Sequence, residues 1–530
     1  MPAKNLVQVM DTTLRDGEQT PDVSYTPSEK LHLARLLLGE LSVDRIEIAS
    51  TRVSEGELEA AQRITRWARS SRMLDRIEIL GYCDGKASVD WMSKAGARVM
   101  NLLVKGSEEH CRKQLGLLPA AHRDAAAATL QNAKKKRIKA NCYLEDWSNG
   151  VRDAFDYVFS MVQTLLESGV QRIYLADTLG VFSPDDVTRY VGLMTATWPE
   201  VPFEFHAHND YGLATANCLA AVRAGARGIH TSVNGMGERT GNTRLPEIVA
   251  TLHDHTDFRT GVNEKRLAAI SRLVETFSGK DVSANTPIVG RDVFTQTAGI
   301  HADGDAKGDL YESRLAPRRF AQRRRYALGK LSGKASIDHN LKALGIELIP
   351  KNRQLVLQRV IELGDKKHTV GAEDLPYIIA DVLKSPDEQL VRVESYNVRV
   401  GSQGAPEADL TLSYRKRKAS VSATGDGGYD AFMNAVRKAA KQLDLAVARL
   451  ADYRVRIPPG GQTAALVQTL ITWRAAEHDE GTFSTLGVDS DQLGAAVIAT
   501  EKMLNALATP KAHKSRTRKK TTRKKSAGKR

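Results

Sequence analysis

Residues 203–212 read FEFHAHNDYG and put two histidines, His206 and His208, one residue apart at the end of an apolar run. In an extended strand successive side chains alternate between faces, so both imidazoles project the same way. A single histidine at a strand end is usually a satisfied structural group, whereas a same-face pair is a metal-ligand pattern. Upstream, TLRDGEQ (13–19) sets Arg15 beside Asp16. Two imidazoles and a carboxylate, with room for water or substrate, suit a divalent cation such as Zn²⁺, Mn²⁺ or Mg²⁺, and the oxygen-rich surroundings leave its identity open. Such a cation polarises a carbonyl as a Lewis acid, and the planar fork of Arg15 stabilises an oxyanion or clamps a carboxylate. Together these groups describe a site for an α-keto acid. An aldolase or lyase working on the reverse carbon–carbon bond is the alternative from the same residues.

Those residues need a scaffold that brings distant segments to one rim. Eight β-branched or apolar runs alternate with polar loops and helix-period stretches: LVQVMD (6–11), RIEIAS (45–50), RIEILGY (76–82), ARVMNLLV (97–104), RIKANCYLED (137–146), RIYLAD (172–177), FEFHAHN (203–209) and GIHTSVN (228–234). Thr26 before Pro27 and Ser183 before Pro184 mark two helix starts, a capping hydroxyl followed by proline in the first turn. The pattern predicts an α/β fold, a (β/α)8 TIM barrel. A doubly wound open sheet competes, and the lack of a glycine-rich dinucleotide fingerprint favours the barrel. Barrel chemistry sits at the C-terminal strand ends, which makes Asp11, Arg15, Asp16, Glu47, Glu145, Asp146, Asp177, Thr178, His206, His208 and the segment 234–242 the candidates.

At this point DTTLRDGEQ (11–19), HAHND (206–210) and NGMGERTGN (234–242) resemble the motifs of the acetyl-CoA-dependent Claisen synthases, which include 2-isopropylmalate, homocitrate and citramalate synthases. The likeness continues through AGIHADG (298–304) and GDGGYDAF (425–432). It implies that Asp16, His206 and His208 hold the metal, that Asn242 completes its shell, and that Arg15 stands near the developing oxyanion. It also implies that Glu145 and Thr178 lie around substrate and acetyl-CoA, and that His301 takes part in acid/base work. A base must remove a proton from the acetyl-CoA methyl group, and the residues leave that duty open between Glu145 and His301.

The pyruvate-accepting members of the family resemble the chain most, through EILGY, NLLVKGS and NCYLEDWSNG. Leu80, Leu103 and Tyr143 match positions lining the pocket for the side group of the keto acid; plain barrel core is the other reading. The linker motif runs His301-Ala302-Asp303-Gly304, where isopropylmalate synthases commonly carry His-Gln-Asp-Gly. Both points favour (R)-citramalate formation from pyruvate over 2-isopropylmalate formation from 2-oxoisovalerate.

The expected layout is a catalytic barrel over 1–280, helical linker subdomains over 281–388, a regulatory domain over 389–508 and a disordered tail over 509–530. The third part repeats itself: VRVESYNVRVG, ADLTLSY and ASVSATG precede a helical stretch, and DYRVRIPPG, ALVQTLITW and GTFSTLG precede another. Each unit reads as three strands and a helix, an α+β module. It serves dimerisation or, by the resemblance, binding of an end-product amino acid such as isoleucine, with Tyr429, Asp430, Tyr453, Ile457 and Val467 at effector-pocket positions. A homodimer with shared sites follows from the same likeness.

The formal net charge is +14, and eleven basic residues without an acid stand in the last twenty, so the excess describes a tail. That tail suits weak, salt-sensitive contact with polyanions, or nucleic-acid association as a different class of function. Four scattered cysteines without a CxxC pair, no signal-peptide pattern and no apolar run of membrane length lead to the expectation of a reduced, cytoplasmic protein.

Overall fold

The computed structural model describes residues 5–308, 310–344, 346–365, 390–456, 467–474, 482–489 and 491–508, with 370, 371, 374, 375, 378, 379 and 382 between them. Two compact units result, Met1–Phe294 with Glu312–Arg324, and Thr295–Tyr311 with Arg325–Arg530. Ile457 and the basic tail lie outside the described residues.

In the first unit eight parallel strands close a barrel in sequence order. They are β1 (Gln8–Asp11), β2 (Arg45–Ser50), β3 (Ile77–Tyr82), β4 (Val99–Lys105), β5 (Lys139–Glu145), β6 (Ile173–Asp177), β7 (Phe203–Ala207) and β8 (Gly228–Thr231). Closure is made by β1 against β8, with Gln8 opposite Gly228 and Asp11 opposite Thr231. Around them run α1 (Pro27–Gly39), α2 (Glu55–Ser70), α3 (Ala87–Ala95), α4 (Glu108–Lys113), α5 (Pro119–Lys135), α6 (Trp147–Asp153), α7 (Phe155–Glu167), α8 (Pro184–Thr197), α9 (Ala214–Arg223), α10 (Leu245–His255) and α11 (Leu267–Ser278). The expected caps form. Thr26 accepts from the Glu29 N–H while Glu29 accepts from the Thr26 N–H, and Ser183 and Asp186 repeat the arrangement at α8.

Strand alternation divides the barrel residues by chemistry. In β2, Ile46 and Ile48 join the apolar layer under the helices, with Ile77, Ile79, Leu102 and Leu144, while Arg45 and Glu47 point into the barrel. Two strands end earlier than the sequence patterns suggest. Strand β7 stops at Ala207: the His208 N–H still donates to the Asp177 carbonyl at 3.3 Å, but its backbone bridges to Asn242. Strand β8 stops at Thr231, and Val233–Gly235 turn as a short 3-10 segment with Asn234 at φ +60°.

In the second unit a two-residue parallel pair, β9 (Thr295–Gln296) and β10 (Arg325–Tyr326), accompanies α12 (Gly299–Ala306), α13 (Lys334–Leu344) and α14 (Pro350–Asp365). Ile337, Leu341, Val356 and Val360 give this part its own small core. The repeat follows: antiparallel β11 (Val391–Arg399), β12 (Glu407–Tyr414), β13 (Arg417–Thr424) and α15 (Gly428–Leu443), then β14 (Arg449–Arg456), β15 (Val467–Arg474), β16 (Thr482–Asp489) and α16 (Gln492–Ala508). Even surface detail recurs, since Thr411 bonds Ser420 and Thr472 bonds Ser484, each at 3.0 Å. The halves share one core in which Leu410, Leu412, Phe432 and Val436 meet Ile471, Trp473, Val497 and Met503. The β11 edge is covered by side chains of α16. Asn505 accepts from the Val391 N–H at 2.9 Å and donates to its carbonyl at 2.7 Å, and Glu501 accepts from the Val393 N–H at 2.6 Å. Among the described residues no helix is long and apolar enough to cross a membrane.

Candidate active site

The end of β7, the residue after it and the turn after β1 converge at one place. His206 Nε2 lies 3.4 Å from His208 Nε2 and 3.5 Å from Asp16 Oδ2, and all three residues are buried. One ligand atom from each falls within 4.8 Å of the others, so the group could hold a metal ion. Burial drives the His206 imidazole well below its usual pKa against the pull of Asp16, and burial lowers His208 in the same way. Both rings are therefore neutral and offer lone pairs. Burial disfavours the Asp16 anion, but the Arg15 guanidinium, aided by the hydrogen bond from Asn242, outweighs it and holds the carboxyl well below the carboxylate range. The Asn242 amide nitrogen donates to Asp16 Oδ1 at 3.1 Å and to the Met236 carbonyl at 2.9 Å, which leaves its Oδ1 buried without a partner. Two facing imidazole nitrogens, an ionised carboxylate and an orphan carbonyl oxygen form a donor set that fits a divalent cation.

Glycines make that convergence possible. A Cβ on Gly241, at φ +82°, would sit 1.8 Å from the Gly235 carbonyl oxygen; one on Gly237, at φ +150°, would sit 2.4 Å from Asn242 Nδ2. Without side chains there, NGMGERTGN folds back along β7. The Asn209 N–H donates to the Gly241 carbonyl at 3.0 Å and the Thr243 N–H to the Ala207 carbonyl at 3.2 Å. Arg239 then ties the loop to its surroundings, reaching Asp210 at 2.8 and 3.0 Å and the Thr178 carbonyl at 2.8 Å.

Arg15 is pinned beside this cluster. It donates to Glu47 at 2.5 Å, to Asp16 at 2.9 Å and to the Tyr143 hydroxyl at 3.4 Å. Glu47 is itself held by Asn101 at 2.7 Å. A guanidinium fixed by two carboxylates faces the cluster with its direction set in advance, as stabilising an oxyanion requires. Tyr143, Leu80 and Leu103 pack with Met10, Tyr174 and Ala176 in a cluster separate from the helix–strand core. The Tyr143 ring stands edge-on to His206 with centroids 5.7 Å apart. This geometry provides a cation site, an adjacent fixed arginine and an apolar wall.

Residues 6–274 match the family model described as HMGL-like, residues 288–368 the homocitrate synthase post-HMGL domain-like model, and residues 369–508 the LeuA allosteric (dimerisation) domain. An (R)-citramalate synthase of Methanocaldococcus jannaschii is 31% identical over 504 residues, 95% of this chain and 99% of that one. The 2-isopropylmalate synthase of the same organism is 33% identical over 473 residues, 88% of each chain. A Methanopyrus kandleri protein named "Probable 2-isopropylmalate synthase" is 35% identical over 506 residues, 95% of this chain and 98% of that one. The chain belongs to the family of citramalate and 2-isopropylmalate synthases. In this member of the family the HMGL-like match takes in all eight barrel strands and the Asp16–His206–His208 cluster.

The remaining sequence candidates fall into three groups. Glu145 ends β5 in an ion pair with Lys105, and Thr178 follows β6, where its hydroxyl accepts from the Asp146 N–H at 2.8 Å. His301 belongs to the second unit, on α12, with its ring 4.2 Å from that of Tyr311. In the repeat, Tyr429 and Tyr453 come together at 5.1 Å between ring centroids, and Tyr429 bonds Thr500 at 2.8 Å. Asp430 accepts from the Asp426 N–H at 3.1 Å in the first turn of α15, and Val467 is buried at the start of β15.

Sequence reasoning gave Glu47 no partner and passed over Lys105. Alternation held the signal for Lys105, which follows Leu103 by two residues and must share its face.

Proposed function

We propose that the chain condenses acetyl-CoA with pyruvate and hydrolyses the thioester, giving (R)-citramalate and CoA at the entry to isoleucine biosynthesis through 2-oxobutanoate. The observation that carries this reading is the wall of Leu80, Leu103 and Tyr143 beside the His206 and Arg15 side chains. Bulky groups there leave space for a methyl substituent and crowd an isopropyl one, a discrimination worth about 1–3 kcal/mol per methylene. Asp16, His206, His208 and the Asn242 carbonyl hold the divalent cation. When bound, that cation supplies Lewis acidity toward the ketone of the 2-oxo acid. Arg15 donates hydrogen bonds to the oxyanion that forms as the ketone is attacked. Glu145 removes the methyl proton of acetyl-CoA, with His301 as the alternative base, and Thr178 steadies the end of β5 through the Asp146 amide.

The repeat domain is read as the regulatory and dimerisation module of a homodimer, with Tyr429, Asp430, Tyr453, Ile457 and Val467 around an amino-acid effector, isoleucine. We place the protein in the cytoplasm and give the basic tail weak contact with polyanions. Deleting residues 511–530 is expected to leave turnover within about twofold, since the proposed site draws on none of them.

The deciding experiment follows thiol release by the purified, metal-loaded chain with acetyl-CoA and pyruvate, 2-oxoisovalerate or 2-oxoglutarate. A higher kcat/KM with pyruvate supports the reading. A higher value with 2-oxoisovalerate makes the chain a 2-isopropylmalate synthase, the reading favoured by relatives that carry that name. His206→Ala is expected to lose bound metal and about 10³-fold or more of turnover, consistent with removal of one ligand from a catalytic cation.

A further inference from the structure

Strands β4 and β5 pair in register with Asn101 opposite Asn141, Leu103 opposite Tyr143 and Lys105 opposite Glu145. Alternation sends these six side chains into the barrel as three stacked layers. In the lowest, Asn141 donates to Asn101 at 3.1 Å. The middle layer contains Tyr143, whose hydroxyl meets Arg15 and whose ring meets His206. The top layer is an ion pair, the Lys105 ammonium against the Glu145 carboxylate, with side chains 9% and 22% exposed. At a rise of about 3.3 Å per residue, this pair stands roughly 6–7 Å above the Tyr143 layer, at the mouth of the barrel.

The backbone is shaped to seat it. The Gly106 N–H donates to the Glu145 carbonyl at 2.6 Å, and a Cβ on Gly106 would lie 2.9 Å from that same oxygen. A Cβ on Gly150 would lie 1.9 Å from the Gly106 carbonyl oxygen. Only glycines let the two strand ends approach so closely under α6. Asp146, next to Glu145, sits at φ +61°, a left-handed conformation that aspartate adopts more readily than most residues, and turns the chain into α6. Behind the pair, the Tyr157 hydroxyl donates to the Lys105 carbonyl at 2.9 Å. A largely buried ion pair is a poor source of net stability, so this construction calls for another account.

We infer that Lys105 is a catalytic residue of the condensation, the cation that exchanges Glu145 for the enolate oxygen of acetyl-CoA as the methyl proton is removed. The inference rests on the proposed function, with Glu145 as the base. Before the step, Lys105 and Glu145 neutralise each other and the thioester is uncharged. The methyl C–H bond then breaks, its proton forms an O–H bond on Glu145, and the electron pair left behind moves onto the thioester oxygen. Glu145 becomes neutral as the enolate becomes anionic, and the released ammonium turns to the new charge. Net charge in the site stays constant throughout. The lysine–substrate attraction exists only as the enolate develops, which is the condition for lowering a barrier instead of tightening ground-state binding. A lysine suits the exchange, since its ammonium carries three donors on a flexible stem.

The test uses the metal-loaded full chain and two readouts. These are thiol release, and deuterium uptake from heavy water into the acetyl-CoA methyl group in the presence of oxamate, an unreactive pyruvate analogue. Lys105→Met is expected to lower kcat/KM for acetyl-CoA and the exchange rate at least about 100-fold, as loss of a group aimed at developing charge does. The KM for the 2-oxo acid should stay within about threefold of wild type, because uniform binding is untouched. Lys105→Gln, which keeps a neutral donor in the layer, must fall in the same way, and Lys105→Arg must recover at least about tenfold by restoring the charge. Turnover and exchange in Lys105→Met within about threefold of wild type overturn the inference while the proposed function stands. So does a loss shared by the KM values of both substrates together with a sharply lower melting temperature, the mark of a structural role. Wild-type enzyme that neither releases thiol nor exchanges the methyl group overturns the proposed function and the inference together.

Discussion

Inside the barrel, Arg45 donates to Glu78 at 2.7 Å and to Glu204 at 2.6 Å, and Tyr174 donates to Glu78 at 2.9 Å. His230 lies 3.2 Å from Glu204 and 3.1 Å from the Tyr143 hydroxyl, which leads on to Glu47 and Arg15. All of these charged groups are buried or nearly so. The shared core of the repeat in the second unit is as dry, yet it consists of Leu410, Phe432, Val436, Ile471, Trp473, Met503 and their apolar neighbours. Burying ions costs desolvation that pairing seldom returns in full, so a polar interior is a poor way to hold a shape. It is a good way to fix direction. The barrel must present Arg15, Asp16 and two imidazoles in one orientation, and each polar layer beneath orients the one above. The repeat has only to keep two sheets and two helices packed, and close-packed aliphatic groups do that.

Breaking the barrel network should have the largest effect. In Glu204→Gln, Arg45 keeps Glu78 as its counter-charge but loses the second carboxylate, Arg172 loses its carboxylate partner, and one of the two oxygens that serve Arg45 and His230 becomes an amide nitrogen. A loss of about 3 kcal/mol in first-unit stability is expected, the low end for removing one partner from a buried ionic network, because Glu78 still balances Arg45. It should be accompanied by lower turnover as Tyr143 and Arg15 lose their alignment. Hydrogen exchange of peptides from β2 and β7 measures the first, and thiol release the second. A change below about 1 kcal/mol would mean that the layers are independent of one another.

A smaller effect should come from the second unit, where Thr485 is one of few buried polar groups in the sheet core. Its hydroxyl accepts from Trp473 Nε1 and donates to the Ala499 carbonyl, both at 2.8 Å. Thr485→Val leaves the indole N–H unsatisfied, at a cost of about 1–3 kcal/mol. Faster exchange in β15, β16 and α16 with turnover unchanged would confirm that this core carries shape alone. Lost turnover would mean that the two units are coupled more tightly than their separate cores suggest.

This contrast also explains what could be read in the sequence. The eight strands, the two helix caps and the repeat were legible because each depends on local periodicity or on residues a few positions apart. The same-face histidines were legible for the same reason. The polar interior was not. In RIEIAS, Arg45 and Glu47 alternate with Ile46 and Ile48, a pattern that ordinarily means one wet face. Closing the barrel turns that face inward, and closure depends on residues as distant as Asp11 and Thr231. The partners that fix the site are equally remote: Asp16 and Asn242 are 226 positions apart, and Arg45 and Glu204 are 159 apart. No short window of sequence contains either pair.

The smallest effect lies outside the barrel, where α5 packs on α7 and the polar groups support strand ends without entering the interior. His122 is 1% exposed, and its Nδ1 lies 3.0 Å from the Tyr157 hydroxyl. That hydroxyl donates to the Lys105 carbonyl, so it accepts from a neutral His122 carrying its proton on Nδ1. Burial, reinforced by the positive charges of Lys105 and Arg123, pushes the His122 pKa down to about 4. An unfolded histidine titrates near about 6.5. Between these values the unfolded chain holds a proton that the native chain lacks, so stability must fall as pH drops from 6.5 toward 4 and is unaffected by this group above 6.5. His122→Gln keeps a donor for Tyr157 and removes the titration. Its melting temperature should track that of wild type at a constant offset above pH 6.5 and decline less steeply below it. Parallel curves through the whole window would show that His122 is hydrated, and that the layer behind Lys105 is wetter than the interior in front of it.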